Sequence, residues 1–534
     1  MGTVEKQDPG ISPLTMETQS LHDELVRFLG TGRVLTSQRE FYSSDIYGGD
    51  TLAALVVQPE STESLARVTK TATEAGYSVI GRGGATSYTG GLNPDREKSL
   101  VVDTSLLNRV VEINRDDMYV TVESGVTWKA LHEALKDTDV RTPFWGPLSG
   151  AQATVGGSVS QNAILWGSTG HDVSAASVLS LEVVLADGTV LNTGSAASNL
   201  KPFFRNYGPD LTGLFLGDTG ALGIKSKVTL RLMRRPIDVG FASFNFDERE
   251  KMSRALVAIA KEGVASSCFG MDPMLQYQRI KRASVMQGVK ALKGVVSTAK
   301  STFSGIRDAM RIAVAGKRFI DENGYSLHVI LDGDSQATVK SKLGTVRDIC
   351  LGEGSEIENS VPSMLYGDPF VGMTSAIGPD GERWAPMHGL FALSDADTAW
   401  ARIEALFDTF SERFDQHGII VGYLLAIVST TVFVIEPVFY WPGPRTAWSE
   451  GMLSPAELAK YKDFPDDPDV TKTVIEARDA LNDLFDELGA AHLQIGKKYR
   501  YRQGLQPPAL QLIEAIKSAV DPERLMNPKS LGLD

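Results

Sequence analysis

The amino-acid sequence predicts an α+β protein of at least two domains. Its 534 residues are too many for a single hydrophobic core. From residue 53 to about 236, short β-rich runs alternate with Gly and Pro turns and few helical segments. Beyond residue 236, longer helical patterns separate apolar runs, which is typical of helices packed on an antiparallel sheet. We therefore expect one domain over 46–236 and a second over 237–490.

Residues 1–45 are expected to form an N-terminal arm followed by a helix, because the first twenty are polar and contain proline. The next segments show clear strand and helix patterns. Strands are predicted at 54–57, 118–122 and 181–185, the last closed by an Asp-Gly hairpin turn. Thr62–Ala75 repeats apolar positions at helical spacing and predicts a helix that packs between strands.

The second half of the chain is richer in helices. Helical patterns cover about 248–262, 335–352, 396–416 and 471–488. Apolar runs that predict strands cover 325–331, 418–428 and 431–438. From about 491 to 534 the sequence returns to a mixed, basic character, and we expect this segment to come back to the first domain.

Composition narrows the functional classes. A net charge of −13 disfavours general nucleic-acid binding. The N-terminus lacks the layout of a signal peptide, and no 18-residue apolar run is present for a membrane span. Two cysteines in so long a chain argue against a disulfide framework and fit a reducing compartment. The sequence therefore predicts a cytoplasmic protein.

One segment, 279–318, departs from the global charge, with ten Lys or Arg residues and one acid. Its apolar residues recur at heptad-like spacing. Such a basic amphipathic helix fits an anionic membrane surface or an acidic partner protein, and it equally fits a solvated helix that covers its own domain.

The most informative stretch is 81–91, a loop with five glycines and two threonines between two predicted strands. Glycines permit positive φ and close approach, and successive N–H groups can form an anion-binding nest. The loop is neither a Gly-x-Gly-x-x-Gly motif that opens a helix nor a Walker loop. The alternative is an ordinary tight turn in a β-rich domain.

Three further loops rich in small residues recur along the chain, at 147–158, 208–224 and 527–532. Each is able to let the backbone approach a flat or phosphorylated ligand. Four such loops exceed what turns alone require, so the sequence favours a nucleotide site assembled from all of them.

These loops resemble those of the vanillyl-alcohol oxidase family of flavoproteins, which carry the para-cresol methylhydroxylase (PCMH) type of FAD-binding domain. Arg82–Ser87 with Gly90-Gly91 is similar to the pyrophosphate loop, and Val155–Ser158 to the loop that faces the isoalloxazine ring. The resemblance implies a two-subdomain FAD-binding domain, a cap domain and FAD as the cofactor. The residues it implies for cofactor binding are Arg82, Gly83, Gly84, Ala85, Thr86, Ser87, Gly90, Pro147, Thr154, Gly156, Gly157, Ser158, Asn162, Gly223, Ile224 and Asn527.

Within the family the sequence resembles most the phenol-oxidising members, which hold a substrate phenolate with two tyrosines and an arginine. Tyr88 lies at the matching place of the first loop, and Tyr499-Arg500 resembles the Tyr-Arg element near the C-terminus. An arginine and two phenol donors in a dry pocket favour phenolate, which activates the para carbon for hydride loss. The alternative for Tyr499-Arg500 is a surface strand, since Tyr501-Arg502 repeats the pair.

His388 lies near the position at which members of this family attach FAD covalently through a cap-domain histidine. It could equally be a base in the pocket or a structural core histidine. Attachment through a histidine in the pyrophosphate loop is excluded, because Ala85-Thr86 occupies that place.

The sequence departs from the family at the loop after Asn162-Ala163, where a carboxylate is often found beside the flavin. Leu165 and Trp166 stand there instead and would suit a bulky or aromatic substrate. Glu436 is a candidate substitute acid on the cap sheet, and a partnered buried glutamate is the alternative.

Two other functions compete with oxidation of a para-substituted phenol or an aromatic alcohol. One is an FAD-linked D-2-hydroxyacid dehydrogenase, for which Tyr499-Arg500 would bind the substrate carboxylate. No two histidines lie closer than 29 residues, so the metal motif of such enzymes is missing and no metal is expected. The other is a non-catalytic flavin-binding scaffold. We expect oxygen or a cytochrome as electron acceptor and, by the resemblance, a homodimer.

Overall fold

The structure is a computed structural model that describes residues 14–282 and 324–534. Most of the basic segment 279–318, with the membrane or acidic-partner role predicted for it, lies outside the described residues. The α+β class is confirmed, because helices accompany both mixed and antiparallel sheets. None of the described helices is both long and apolar enough to cross a bilayer.

The first domain contains two main sheets and one short strand pair. Its strands are β1 (Val34–Leu35), β2 (Leu55–Val57), β3 (Ser78–Arg82), β4 (Ser99–Asp103), β5 (Val110–Asn114), β6 (Tyr119–Glu123), β7 (Val140–Arg141), β8 (Val178–Val184), β9 (Val190–Asn192), β10 (Ile224–Arg231) and β11 (Met233–Arg234). The first sheet has the order β1-β2-β4-β3, with β2, β4 and β3 parallel. The second has the antiparallel order β5-β6-β10-β8-β9, and β11 pairs with β7.

The second domain is built on one eight-stranded antiparallel sheet. Its strands are β12 (Asp238–Phe246), β13 (Ser267–Met271), β14 (Tyr325–Gly333), β15 (Ser355–Ile357), β16 (Arg383–Pro386), β17 (Gly389–Ala392), β18 (Ile420–Val428) and β19 (Val432–Trp441). The order is β15-β12-β14-β13-β18-β19-β16, and β17 pairs with β19. The change from one sheet system to the next falls between Arg234 and Asp238.

The helices of the described residues include those that the hydrophobic periodicity predicts at 62–75, 248–262, 335–352 and 471–488. They are α1 (Met16–Leu29), α2 (Arg39–Tyr42), α3 (Thr62–Glu74), α4 (Trp128–Leu135), α5 (Val155–Gln161), α6 (Ser168–His171), α7 (Leu211–Leu214), α8 (Arg249–Glu262), α9 (Gln336–Cys350), α10 (Ser360–Gly367), α11 (Ala396–Asp408), α12 (Ser411–His417), α13 (Ala447–Met452), α14 (Pro455–Leu458), α15 (Pro468–Glu487), α16 (Tyr501–Gly504) and α17 (Pro507–Val520). Residues 273–282 are also helical. The single helix expected over 396–416 is two helices, because the first ends at Asp408 and the second begins at Ser411.

Alternation along β18 and β19 separates the core of the second domain from the functional cleft. Leu425 and Ile435 are buried against α8, α11 and α15. Their neighbours in sequence point to the opposite face of the sheet, because successive strand residues alternate sides. That opposite face is the wall of the cleft described below.

The C-terminal segment packs on the first domain. Val79 donates its backbone N–H to the Leu525 carbonyl, and Asn527 donates to the Val79 carbonyl, so the tail lies beside β3. Lys517 is fully buried and its ammonium donates to Asp521 at 2.6 Å and to the Ala221 carbonyl at 2.7 Å. A buried charge needs such a set of partners, so this lysine fixes α17 in place.

Candidate functional site

A large cleft runs between the two domains and encloses about 1740 Å³, including its open mouth. Residues of both domains line this cleft, so a ligand bound in it would contact both. Loops of the first domain line one half. Strands β18 and β19, residues 373–376 and Trp384 line the other.

The predicted cofactor residues come together in the first half. Those that line the cleft are Arg82, Gly83, Gly84, Ala85, Thr86, Ser87, Pro147, Thr154, Gly156, Gly157, Ser158, Gly223 and Ile224. They belong to three stretches of the chain that are distant in sequence. The C-terminal ends of the parallel strands β3 and β4 and the N-terminal end of β10 all lie at the cleft.

Loop 81–91 needs its glycines because a second loop presses against it. A Cβ atom on Gly83 would overlap the Thr154 hydroxyl, and one on Gly84 would overlap the Gln152 carbonyl. Positive φ occurs at Ala85 and Gly90. Close packing of two loops, more than left-handed backbone, therefore accounts for the Gly-Gly pair.

The loop that leads into α5 is equally tight. Thr154 caps the helix by accepting a hydrogen bond from the Gly157 N–H at 3.2 Å. A Cβ atom on Gly156 would lie 2.5 Å from the Cβ of Ser124. Ser158 accepts a hydrogen bond from the Trp128 indole at 2.8 Å. Small residues here allow the helix start to form the floor of the cleft.

Two buried cations line the cofactor half. Arg82 donates to the backbone carbonyls of Tyr42 and Ser44 at 3.3 and 3.0 Å, while its other terminal nitrogen has no protein partner. Burial lowers the pKa of Arg82 to about 10, so it remains charged at neutral pH. Lys225 pairs with Asp218. Burial lowers the Lys225 pKa as well. The unpartnered nitrogen of Arg82 suits a phosphorylated ligand, whereas the Lys225 charge is balanced by Asp218.

Four of the predicted cofactor residues do not line the cleft: His388, described below, and three residues that instead hold its loops. Asn527 donates from its amide to the carbonyls of Gly91 at 2.7 Å and Thr219 at 2.6 Å. Gly90 donates its N–H to the buried Asp45 carboxylate at 2.7 Å. Asn162 ends α5 in a left-handed conformation. These residues position the loops on which the cofactor residues stand.

The other half of the cleft has an apolar wall with one carboxyl group. Leu424, Ala426 and Val434 face it from β18 and β19, together with Glu436. Burial raises the pKa of Glu436 to about 7, and the positive charge of Arg279 opposes this shift. A carboxyl group with that pKa can accept and return a proton near neutral pH.

Tyr88 lies between the cofactor loop and this wall. Its hydroxyl oxygen accepts a hydrogen bond from the Gln494 amide at 3.0 Å, and its ring meets Trp384 edge to face. Burial, aided by the negative charge of Glu436, raises the Tyr88 pKa well above its usual value. The hydroxyl is therefore protonated and is available as a hydrogen-bond donor.

His388 and Tyr499 lie in the protein interior behind Tyr88, outside the residues that line the cleft. The Tyr499 hydroxyl accepts from the His388 backbone N–H at 2.8 Å, and the His492 ring stacks on Tyr499 at 3.9 Å. His388 donates from Nε2 to the Leu493 carbonyl at 2.5 Å, and its Nδ1 has no partner. Burial lowers the His388 pKa to about 3, so the ring is neutral.

Arg500 does not belong to the cleft, which corrects the expected phenolate-binding trio. Its side chain is 40% exposed and pairs with Asp483 at 2.6 Å and Asp486 at 2.8 Å. Tyr499, the residue before it, is buried. Neither Tyr499 nor Arg500 lies where it would touch a ligand in the cleft.

Of Leu165 and Trp166, only Leu165 faces the cleft, and the bulky or aromatic substrate expected from them stays a prediction. Leu165 lines the cleft, with a φ of 143° that a side chain rarely adopts. Trp166 is fully buried, stacks on Trp145 and donates its indole N–H to the Pro369 carbonyl at 2.9 Å. Trp384, from β16, is the tryptophan that faces the cleft.

Sequence reasoning missed several residues of the cleft, among them Lys225, Arg279, Trp384 and Gln494. None belongs to a recognisable motif. Arg279 was noted only as the start of the basic segment. The sequence signal available for the wall was the alternation along 424–436, which places Leu424, Ala426, Val434 and Glu436 on one face.

A protein-family model described as "FAD binding domain" matches residues 53–194. Over 211 residues the chain is 33% identical to a probable mitochondrial D-lactate dehydrogenase of Danio rerio, covering 39% of this chain and 41% of that protein. It is 31% identical over 209 residues to a D-lactate dehydrogenase of Archaeoglobus fulgidus, covering 39% and 45% respectively. The matches thus span less than half of these relatives.

Solved structures share the fold over nearly the whole chain. The structure of p-cresol methylhydroxylase with substrate bound has a TM-score of 0.72 at 18% identity, covering 98% of each chain. An alkyldihydroxyacetonephosphate synthase structure has a TM-score of 0.67 at 15% identity, covering 96% of this chain and 84% of that one. These similarities place both domains in a fold shared with the PCMH-type proteins.

The residues present fit FAD. The glycine-lined loops allow close backbone approach, and the unpartnered nitrogen of Arg82 is buried beside the cleft. Together with the family match, this makes the first domain an FAD-binding domain and FAD the cofactor of the protein.

Proposed function

We propose that this protein is an FAD-dependent oxidoreductase that oxidises an aromatic or otherwise apolar alcohol to the carbonyl compound. The observation that carries this proposal is the position of Glu436, one carboxyl group on an apolar wall of the cleft that also contains the cofactor loops. Bound FAD would supply a ring that accepts a hydride. The protein must then bind the alcohol and remove its hydroxyl proton.

Glu436 is the proposed base. The hydroxyl proton moves to its carboxylate while the carbinol carbon loses its hydrogen with two electrons, so R₂CH–OH becomes R₂C=O. Burial raises the Glu436 pKa to about 7, so both the ionised and the protonated carboxyl are accessible near neutral pH. General-base catalysis of this kind contributes about 10²–10⁴-fold to the rate.

Tyr88 is the proposed donor to the substrate oxygen. Gln494 occupies a lone pair of its hydroxyl, which leaves the hydroxyl proton for a ligand. The apolar residues Leu424 and Val434 and the Trp384 ring would contact the body of the substrate and exclude water. These contacts favour a donor with an aromatic or branched apolar group.

Arg500 does not support oxidation of a phenol bound as phenolate, because its guanidinium faces solvent and two aspartates. A D-2-hydroxy acid is the second candidate substrate. It is favoured by the similarity to the D-lactate dehydrogenases of Danio rerio and Archaeoglobus fulgidus, which covers 39% of this chain in each case. Oxygen or a cytochrome as acceptor, a homodimer and a cytoplasmic location stay predictions.

Covalent attachment of FAD through His388 also stays a prediction. If it occurs, Nδ1 is the nitrogen with a free lone pair, since Nε2 donates to Leu493. Acid precipitation of the purified protein tests it: flavin should remain in the pellet of the parent protein and move to the supernatant in His388→Ala. Flavin in the supernatant of the parent would exclude the tether.

The function is tested by mixing the flavin-loaded protein anaerobically with benzyl alcohol, 4-hydroxybenzyl alcohol, D-lactate and D-mandelate. We expect the visible flavin absorbance to bleach with an aromatic alcohol or hydroxy acid, and Glu436→Gln to slow bleaching by about 10²–10⁴-fold. Glu358→Gln changes an exposed carboxyl and is the matched control. A protein that no alcohol bleaches would be a scaffold and would refute the proposal.

A further inference from the structure

The substrate half of the cleft contains one guanidinium group among its described residues, that of Arg279. It lies on the helical segment 273–282, three residues before the end of the described part of that segment. Arg279 is partly exposed to the cleft and forms no hydrogen bond or ion pair with any described residue. Its charge acts across the cleft on Glu436.

Two other cations of this segment, Lys281 and Arg282, do have partners. Arg282 donates to the Ser375 carbonyl at 2.9 Å and to the Ile377 carbonyl, and Lys281 pairs with Asp380 at 2.5 Å. These contacts attach the segment to the loop that carries Met373 and Ser375 into the cleft.

The other end of the segment is fixed by Asp272. Its buried carboxylate accepts backbone hydrogen bonds from Leu275 at 2.9 Å and from Tyr423 of β18 at 2.7 Å. The helix that carries Arg279 is therefore tied at one end to the cleft wall and at the other to the cleft rim. A cation that is held in place and has no hydrogen-bond partner among residues 14–282 and 324–534 is suited to an anionic ligand.

We propose that Arg279 binds the carboxylate of the substrate, so that the substrate class is a hydroxy acid with an aromatic or branched apolar body. This inference rests on the proposed oxidation of an alcohol. The apolar side chains of Leu424 and Val434 would receive the body, and Glu436 the hydroxyl proton. One planar guanidinium matches one carboxylate through two parallel hydrogen bonds, whereas a doubly charged phosphate would call for further donors.

Binding of phenylacetate, which carries the acid and the ring but no oxidisable alcohol, tests the inference directly. Titration of the flavin-loaded protein by calorimetry should give a Kd that rises about 30-fold in Arg279→Gln. This corresponds to about 2 kcal/mol at 1.4 kcal/mol per tenfold. The Kd of Arg279→Lys should lie between those of the parent and Arg279→Gln, because lysine keeps the charge but lacks the planar pair of donors. Arg500→Gln, the same change on the exposed arginine, should bind like the parent.

The preference for D-mandelate over benzyl alcohol in anaerobic flavin reduction should fall about 30-fold in Arg279→Gln as well. Phenylacetate binding that is equal in the parent and Arg279→Gln would overturn the carboxylate site, even if benzyl alcohol bleaches the flavin. Arg279-dependent phenylacetate binding in a protein that no alcohol bleaches would uphold the anion site and overturn the oxidoreductase proposal.

Discussion

The Glu436→Gln substitution should make the protein more stable, and increasingly so as the pH rises. In the folded protein burial raises the pKa of this carboxyl from 4.5 to about 7. Ionising Glu436 is therefore less favourable in the folded protein than in the unfolded chain, and this difference lowers the free energy of unfolding. The destabilisation appears above pH 4.5, where the unfolded carboxyl ionises, and is fully present above pH 7, where the folded carboxyl ionises too.

The size of this destabilisation follows from the raised pKa of Glu436. A displacement of about 2.5 pKa units corresponds to about 3 kcal/mol at 1.36 kcal/mol per unit. The carboxyl group faces the cleft, where water reaches it, so we expect about 2 kcal/mol. Glutamine is close in shape and has no charge, so the variant removes this cost without opening a cavity.

Urea denaturation of the parent and Glu436→Gln at pH 5 and pH 8 measures the effect. The gain in unfolding free energy should be about 1.3 kcal/mol larger at pH 8 than at pH 5, because part of the cost is already present at pH 5, and Glu358→Gln should show no such difference. If the gain were the same at both pH values, or larger at pH 5, Glu436 would not be a carboxyl of raised pKa, and its assignment as the base would fail.

Three other substitutions test how the cleft is held together. Lys517→Met should cost about 3–5 kcal/mol in urea denaturation, because it leaves the buried Asp521 carboxylate without its cation. Asn527→Ala should cost about 1–3 kcal/mol and lower FAD retention on gel filtration, since it frees two loop carbonyls. Gly84→Ala should abolish FAD retention, because its Cβ would overlap the 152–154 loop, whereas Gly344→Ala, with open space around it, should retain FAD. Retention of FAD by Gly84→Ala would show that the tight contact is not required.

Most of the fold could be predicted because the periodic patterns here are strong. Apolar spacing placed α3 within one residue of its end, and alternation with turn residues placed β8 and β18 closely. The four loops rich in small residues predict a nucleotide site from the sequence alone. Local sequence contains this information, because glycine and strand patterns act over a few residues.

The substrate half could not be predicted in the same way, because its residues meet only through tertiary packing. Tyr499 and Arg500 are adjacent, yet the chain turns before α16, so one is buried and the other exposed. His388 and His492, 104 residues apart, contact each other through a backbone carbonyl. Arg279 reaches the cleft only because Asp272 and Arg282 fix its helix. No short motif records such contacts.

The central claim is that an alcohol donates hydride to FAD in the cleft that Glu436 faces. Its most direct measurement is an anaerobic titration of the flavin-loaded protein with D-mandelate, followed by the visible flavin absorbance. The account predicts complete bleaching, a ketone product in equal amount to the flavin reduced, and a rate that rises with pH through about 7 in the parent and is slow and pH-independent in Glu436→Gln. An absorbance that stays constant with mandelate and with every aromatic alcohol would contradict it.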